Sequence, residues 1–375
     1  MKTFVMLFLF VSLITLHAEQ IKYTQTDYQI VENLFSGEWE KSDSLIKIEL
    51  TNNPGSVKYN FMNAYNYYYA RYFSNTSPRR DESLNLVQSI SWKTISLGEE
   101  MEESLENNFY LGLSYALLSR VNAMRQEYWD AYWNGSKSEG YLEDVLEESP
   151  ETYDAYFNLG VNEYFPAIRI TGFTSVLAWF GGMSGDRELG LQYMNTTAEK
   201  GDLFKAEAEF ALGLAYRFEE NNPKQALVYW EDLNEKYPAN NFFINQRDQA
   251  FFVSIIEEKG VIFLVDEFDD LAEKYQITNA GILNNVGYNL INQNNLDDAL
   301  VVFKTNVKMF PHVANCYDSL AECFMTRGEN EEAIKYYKMA FEKLETDTTI
   351  NDNFRNQLRE SIPQQIEELH SRINI

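Results

Sequence analysis

The sequence predicts an all-α protein assembled as a row of short helical hairpins. Three observations predict it. Apolar residues recur at three- and four-residue spacing along most of the chain, the period of a helix with one buried stripe. No run alternates with the period of two that marks a half-buried strand. One pattern also returns after a fixed interval: Gly287, Ala299, Phe303 and Pro311 follow one another at steps of 12, 4 and 8, and Ala321, Ala333 and Tyr337 stand 34 residues after the first three. Such a period signals stacked two-helix units. At 375 residues the chain is too long for one compact core, and stacking accommodates the length.

Taken in chain order, residues 1–18 are expected to be a secretory signal. Lys2 supplies a positive start, Phe4 to Leu16 form an uncharged apolar run of 13 residues, and His17-Ala18 places a small residue before a cut at Glu19. That run is shorter than the about 20 apolar residues of a membrane span. Residues 34–56 have a helix–turn–helix outline that ends at Pro54. Leu111-Gly112 and Leu159-Gly160 mark two further first helices, and Pro150 ends the helix between them.

Between Tyr164 and Glu188 the pattern breaks at Pro166, Gly172 and Gly181-Gly182, which predicts an enlarged repeat at 164–188. Its extra helix either packs against the array or forms an apolar lip for a partner, and the helix after it is capped near Ser184 to Asp186. Leu212-Gly213, Tyr216, Ala226, Trp230 and Pro238 restore the pattern with one residue inserted between glycine and alanine. Asn222-Pro223 suits an N-cap followed by proline at the first helical position. Residues 261–275 have the apolar spacing of another helix.

The stretches 282–311 and 316–344 then align without a gap. Gly287, Ala299, Ala321 and Ala333 are small where helices cross closely. Leu283, Val286, Leu290 and Phe303 fill the space between them, as do Tyr317, Leu320, Phe324 and Tyr337 one period on. Residues 350–375 are polar and read as a cap against end-to-end sticking. The predicted organisation is therefore 1–18 signal, 19–260 degenerate hairpins, 261–349 regular repeats and 350–375 capping helices, with roughly 16–20 helices in all.

Those two stretches resemble the tetratricopeptide repeat, whose pattern places a small residue at position 8, alanine at 20, an aromatic at 24 and proline at 32. The second copy departs at the last place, where Glu345 stands. The resemblance implies a right-handed superhelical solenoid of such hairpins, acting as a non-enzymatic scaffold that holds a peptide or partner protein in a concave groove. In that family the first helix of each repeat lines the groove. Carried over residue by residue, the lining would be Phe109, Phe157, Tyr164, Phe210, Arg217, Asn284, Tyr288, Asn315 and Asp318. Leu113, Asp154, Val161, Leu214 and Glu322 would flank them. The lining is aromatic toward the middle of the chain and acidic toward its C-terminal end. Apart from Arg217 and the asparagines, it lacks the basic set with which some members clamp a carboxylate.

Charge and composition narrow the function classes. With 57 acidic against 31 basic residues, the chain has a formal net charge of -26, which opposes nucleic acid and anionic lipid. Peripheral membrane association is open, but nothing in the sequence supports it. Two cysteines and three histidines leave little for a metal cluster, and no phosphate-binding loop, dinucleotide fingerprint, nucleophile elbow or zinc-protease motif occurs, so neither a cofactor nor an enzymatic role is expected. Cys316 and Cys323 lie seven apart on one expected helix, about 10 Å between Cα atoms, too far for a bridge. Asn75, Asn134 and Asn195 begin glycosylation sequons, a motif short enough to arise by chance.

The expected protein is thus an exported interaction scaffold of the periplasm or cell envelope. Its rival is a small-molecule or glycan binding module, with a transporter accessory as one form of it. That alternative draws on the aromatic content of 15%, clustered at Tyr65, Tyr67, Tyr68, Tyr69 and Tyr72 and again at Tyr128, Trp129, Tyr132 and Trp133.

Overall fold

The computed structural model describes residues 20–74, 76–169, 185–275 and 280–373. The expected signal at 1–18 and the core of the expected enlarged repeat, 170–184, lie outside the described residues. Among those described there are eighteen α-helices and no strand. The chain divides into two compact units, one ending at Ala211 and one beginning at Leu212.

The first unit contains α1 (Gln25–Phe35), α2 (Trp39–Asn52), α3 (Val57–Phe73), α4 (Arg80–Glu99), α5 (Leu105–Met124), α6 (Tyr128–Glu148), α7 (Tyr156–Arg169) and α8 (Arg187–Lys200), with a 3-10 turn at Tyr153–Ala155 before α7. Helix α9 (Lys205–Leu214) carries the chain across the division. The second unit continues with α10 (Pro223–Lys236), α11 (Asn241–Lys259), α12 (Val261–Asp266), α13 (Phe268–Tyr275), α14 (Gly281–Asn292), α15 (Leu296–Met309), α16 (Ala314–Thr326), α17 (Asn330–Lys343) and α18 (Asp352–Ile373). Within each unit, most helices that are successive in sequence pack on one another, the arrangement of a hairpin array. In the second unit α11 packs on α10, on α12 and on α14.

Side-chain chemistry at the ends explains why these segments are helices of these lengths. Thr24 and Asp27 form a reciprocal capping box on α1, while Ser56, Ser104, Asp186, Asn222 and Asn240 each accept a first-turn N–H of α3, α5, α8, α10 and α11. Each such cap contributes about 1 kcal/mol. Four hairpin turns share one backbone solution. Gly37, Gln126, Asn294 and Gly328 all have φ between +59° and +85°. Each donates its N–H to the carbonyl three residues back, and the residue after it donates to the carbonyl five residues back from itself, as in Gly328 to Met325 at 3.0 Å and Glu329 to Phe324 at 2.9 Å. This double closure consumes the orphan carbonyls of the first helix and turns the chain sharply into the second.

Small residues sit where helices cross. A Cβ built on Gly287 would lie 2.5 Å from the Phe303 ring, and one on Gly213 would lie 2.6 Å from the Trp230 ring. Gly160 and Gly190 face each other across α7 and α8 at similar closeness. Ala299, Ala321 and Ala333 are wholly buried. The residue inserted between Gly213 and Ala226 has a physical form: Ala215–Glu219 is a π-helical turn, in which Glu220 N–H reaches Ala215 O. A single π turn absorbs one extra residue without breaking the helix.

Candidate functional site

In the first unit, α3 carries an aromatic stripe at four-residue spacing, Phe61, Tyr65, Tyr69 and Phe73, which all four turn toward α9 and the residues before it. Phe204 packs edge-on to Phe61 and Tyr65, and Phe210 packs against Tyr69, Tyr72 and Phe73 with centroids 5.3–5.8 Å apart. Asp154 holds this return in place: its carboxylate accepts the N–H groups of Asp202, Leu203 and Phe204 and the hydroxyl of Tyr23. A buried polar network crosses the same space. Arg120 on α5 donates to Glu207 at 2.7 Å and to Tyr69 at 3.0 Å, and also reaches Asn158. Tyr69 donates to Glu207 at 2.5 Å.

Four sequence-predicted lining residues therefore have a packing role in this unit. Phe109, Phe157, Tyr164 and Phe210 are no more than 4% exposed. Phe109 meets Tyr110 and Phe204, and Phe157 lies under the Arg120 guanidinium, 5.2 Å from its centroid. The face they line is filled by the unit's own aromatic rings.

The second unit differs. Its first helices α14 and α16 bring sequence-predicted residues together across one 34-residue period. Asn284 donates to Ser319 at 2.8 Å, and the Tyr288 hydroxyl lies 3.1 Å from Ser319 and donates to Glu322 at 2.7 Å. Asp318 is one turn before Glu322 on the same helix, and both are half-buried, as is Asn315. Neither carboxylate has a cation within ion-pair distance among the described residues. Burial and the Glu322 charge push the Asp318 carboxyl up to about 7. Burial likewise raises the Tyr288 hydroxyl, despite its bond to Ser319, with Glu322 adding to the rise. The result is a strip of acceptors, able to take hydrogen bonds and positive charge.

Arg217 lies in the π turn and is 5% exposed. Its Nε and one terminal nitrogen have no hydrogen-bond partner, and burial lowers its pKa while Glu257 opposes the fall. It is not part of the α14–α16 strip.

Sequence reasoning missed Arg120 and Glu207, which lie 87 residues apart and outside any motif. It also treated both aromatic clusters alike. Tyr65, Tyr68 and Tyr69 are buried, whereas Tyr128, Trp129 and Trp133 near the start of α6 are 62–67% exposed. The Glu127 and Asp130 charges interleaved with the second cluster were the available signal.

No protein-family model matches this chain, and no curated protein matches it. Among solved structures, the Cut9–Hcn1 hetero-tetramer of the APC/C is similar with a TM-score of 0.40 and 11% identity over 88% of this chain. This chain spans 54% of that one, about half its length. Yeast Tom70 is similar with a TM-score of 0.29 and 14% identity, over 85% of this chain and 69% of that one. The TPR domain of P58(IPK) follows with 0.23 and 10%, over 92% and 98%. In this chain itself, paired helices, a 34-residue period and a glycine seated under an aromatic ring of the next helix stand together. By these features it is an all-α array of stacked helical hairpins, two of which resemble the tetratricopeptide pattern.

Proposed function

We propose that the chain is an exported, non-enzymatic interaction scaffold that docks a cationic segment of a partner protein on the α14–α16 face. The observation that carries this reading is the Asp318–Glu322 pair, two half-buried carboxylates one turn apart with no cation within ion-pair distance among the described residues. A lysine or arginine of a partner would relieve their mutual repulsion, and a charge-assisted hydrogen bond there is worth more than a neutral one. Tyr288 and Asn284, fixed by Ser319, would orient the peptide, with Asn315 beside them. The acidic surround turns anionic partners away and steers cationic ones in.

Binding of lysine- and arginine-containing peptides, measured by fluorescence anisotropy, tests this. The double variant D318N/E322Q should weaken binding about tenfold or more. Unchanged affinity in that variant, or equal affinity for glutamate-substituted peptides, would refute the reading. Export rests on residues 1–18, and N-terminal sequencing of the protein from the native host should begin at Glu19.

A second reading, binding of a glycan, is favoured by the exposed Tyr128, Trp129 and Trp133, since aromatic faces stack on sugar rings. Quenching of tryptophan fluorescence by oligosaccharides, abolished in W129A/W133A, would favour it over the peptide reading.

A further inference from the structure

The first unit has a cleft of its own, built from residues that the α14–α16 strip does not use. A cleft of ≈ 500 Å³ opens where α3 ends, α4 begins and α5 ends. Three of its walls are arginines: Arg71 from α3, Arg79 at the N-cap of α4 and Arg80 in the first turn of α4. In a chain carrying 57 acidic and 31 basic residues, three guanidinium groups on one cleft are a reversal of the prevailing charge.

None of the three makes an ion pair among the described residues. Arg71 is held between the rings of Tyr68 and Tyr72, with its guanidinium carbon 3.9 and 4.6 Å from their centroids. One terminal nitrogen donates to the Tyr72 hydroxyl at 2.9 Å, and the other is buried with no hydrogen-bond partner. A buried donor without an acceptor is costly, and in a cation more so. Arg79 and Arg80 are exposed. No side chain caps the first turn of α4, whose N–H groups add positive potential beside the cleft, and Asp81 and Glu82 in the same turn offset part of it. Tyr72, Pro78 and Met124 give the rest of the wall its apolar part, with the Ser77 hydroxyl among them.

We propose that this cleft binds a small molecule with one anionic head, a phosphate or a carboxylate, on an apolar body. The head would be taken by Arg71, Arg79 and Arg80, whose planar forks match either oxyanion. The body would lie against Tyr72, Pro78 and Met124. The volume suits a small molecule and exceeds what a bare ion needs.

Isothermal titration of the full chain with phenyl phosphate and, separately, with benzoate tests the proposal and distinguishes the two heads. Saturable one-to-one binding of either is expected, together with a loss of about tenfold or more in R79Q/R80Q, whose altered side chains are exposed. R359Q, at an exposed arginine of the second unit, should bind as the wild type does. The proposal is overturned if neither compound binds saturably, if R79Q/R80Q binds as tightly as the wild type, or if R359Q loses as much as R79Q/R80Q.

Discussion

The Phe303 ring occupies the space that a side chain at Gly287 would need: a Cβ there would lie 2.5, 2.6 and 2.8 Å from three ring carbons. Helices α14 and α15 can approach this closely only because position 287 has no side chain. Replacing Gly287 with alanine should gain about 1 kcal/mol of helix propensity and lose about 1–3 kcal/mol to overpacking. Because the crowded neighbour is a wholly buried ring, overpacking should prevail, and denaturant unfolding should show a net loss of about 1–2 kcal/mol. F303L should recover part of that loss when combined with G287A, a coupling that a double-mutant cycle reads directly. A G287A protein as stable as the wild type would show that the helices do not meet there.

Arg120 and Glu207 form a buried pair 2.7 Å apart, with Tyr69 and Asn158 completing the network. Removing one partner leaves a buried charge alone, so E207L or R120M should each cost about 3–5 kcal/mol. Replacing both with R120M/E207L should cost less than the two single changes summed, because no unpaired charge remains. Simple additivity in thermal unfolding would mean that the two groups do not interact.

Asp318 makes stability depend on pH in a stated direction. Its folded pKa is raised from 3.8 to about 7 by burial and by Glu322, with Tyr288 and Tyr337 also facing these carboxylates. The native state therefore holds a proton that the unfolded chain has lost. This contribution is fully present below about pH 4 and disappears as pH rises through about 7. D318N should remove that fall and be more stable than the wild type at pH 8, by about 2 kcal/mol after allowance for partial exposure, with little difference at pH 4. A cation bound at Asp318 should lower its pKa, so peptide binding near pH 7 should release a proton and tighten as pH rises from 5.5 to 8. Guanidinium midpoints across that range, and calorimetry in buffers of different ionisation enthalpy, check both.

The hairpin pattern is legible in the sequence because side-chain size dictates how closely helices cross, and size is written directly at Gly287, Ala299 and Phe303. The extra residue between Gly213 and Ala226 is legible as well, but its storage as a π turn at 215–219 is seen only in the structure. The turn at Gln126 is not. Its left-handed backbone matches that of Gly37 and Gly328, but glutamine does not advertise a conformation that glycine adopts freely.

The two units differ in the same way. On α14 and α16, partners such as Tyr288 and Glu322 are 34 residues apart, so the period itself brings them together. The contact of Tyr69 with Glu207 spans 138 residues, and that of Tyr23 with Asp154 spans 131. No repeat encodes either, which is why aromatic positions read as lining are core. The arginine cleft is hidden for a related reason, because a net charge averages over the whole chain while Arg71, Arg79 and Arg80 converge locally.

Cys316 and Cys323 lie on one helix, both free and buried, and burial pushes their thiols up to about 12 and about 11. Asp347 adds to the rise at Cys316, and Glu329 and Glu322 add to it at Cys323 against Arg327 and Lys304. The thiolate is the reactive form, so both groups should be inert at neutral and mildly alkaline pH. With Ellman's reagent at pH 8, the native protein should release almost no chromophore, and denaturant should expose two thiols per chain at once. The helix also keeps them too far apart to bridge, so air oxidation should leave the count at two. Release from the native protein at the rate of free cysteine would place α16 on the surface, and the stacking of α16 between α15 and α17 would fail with it.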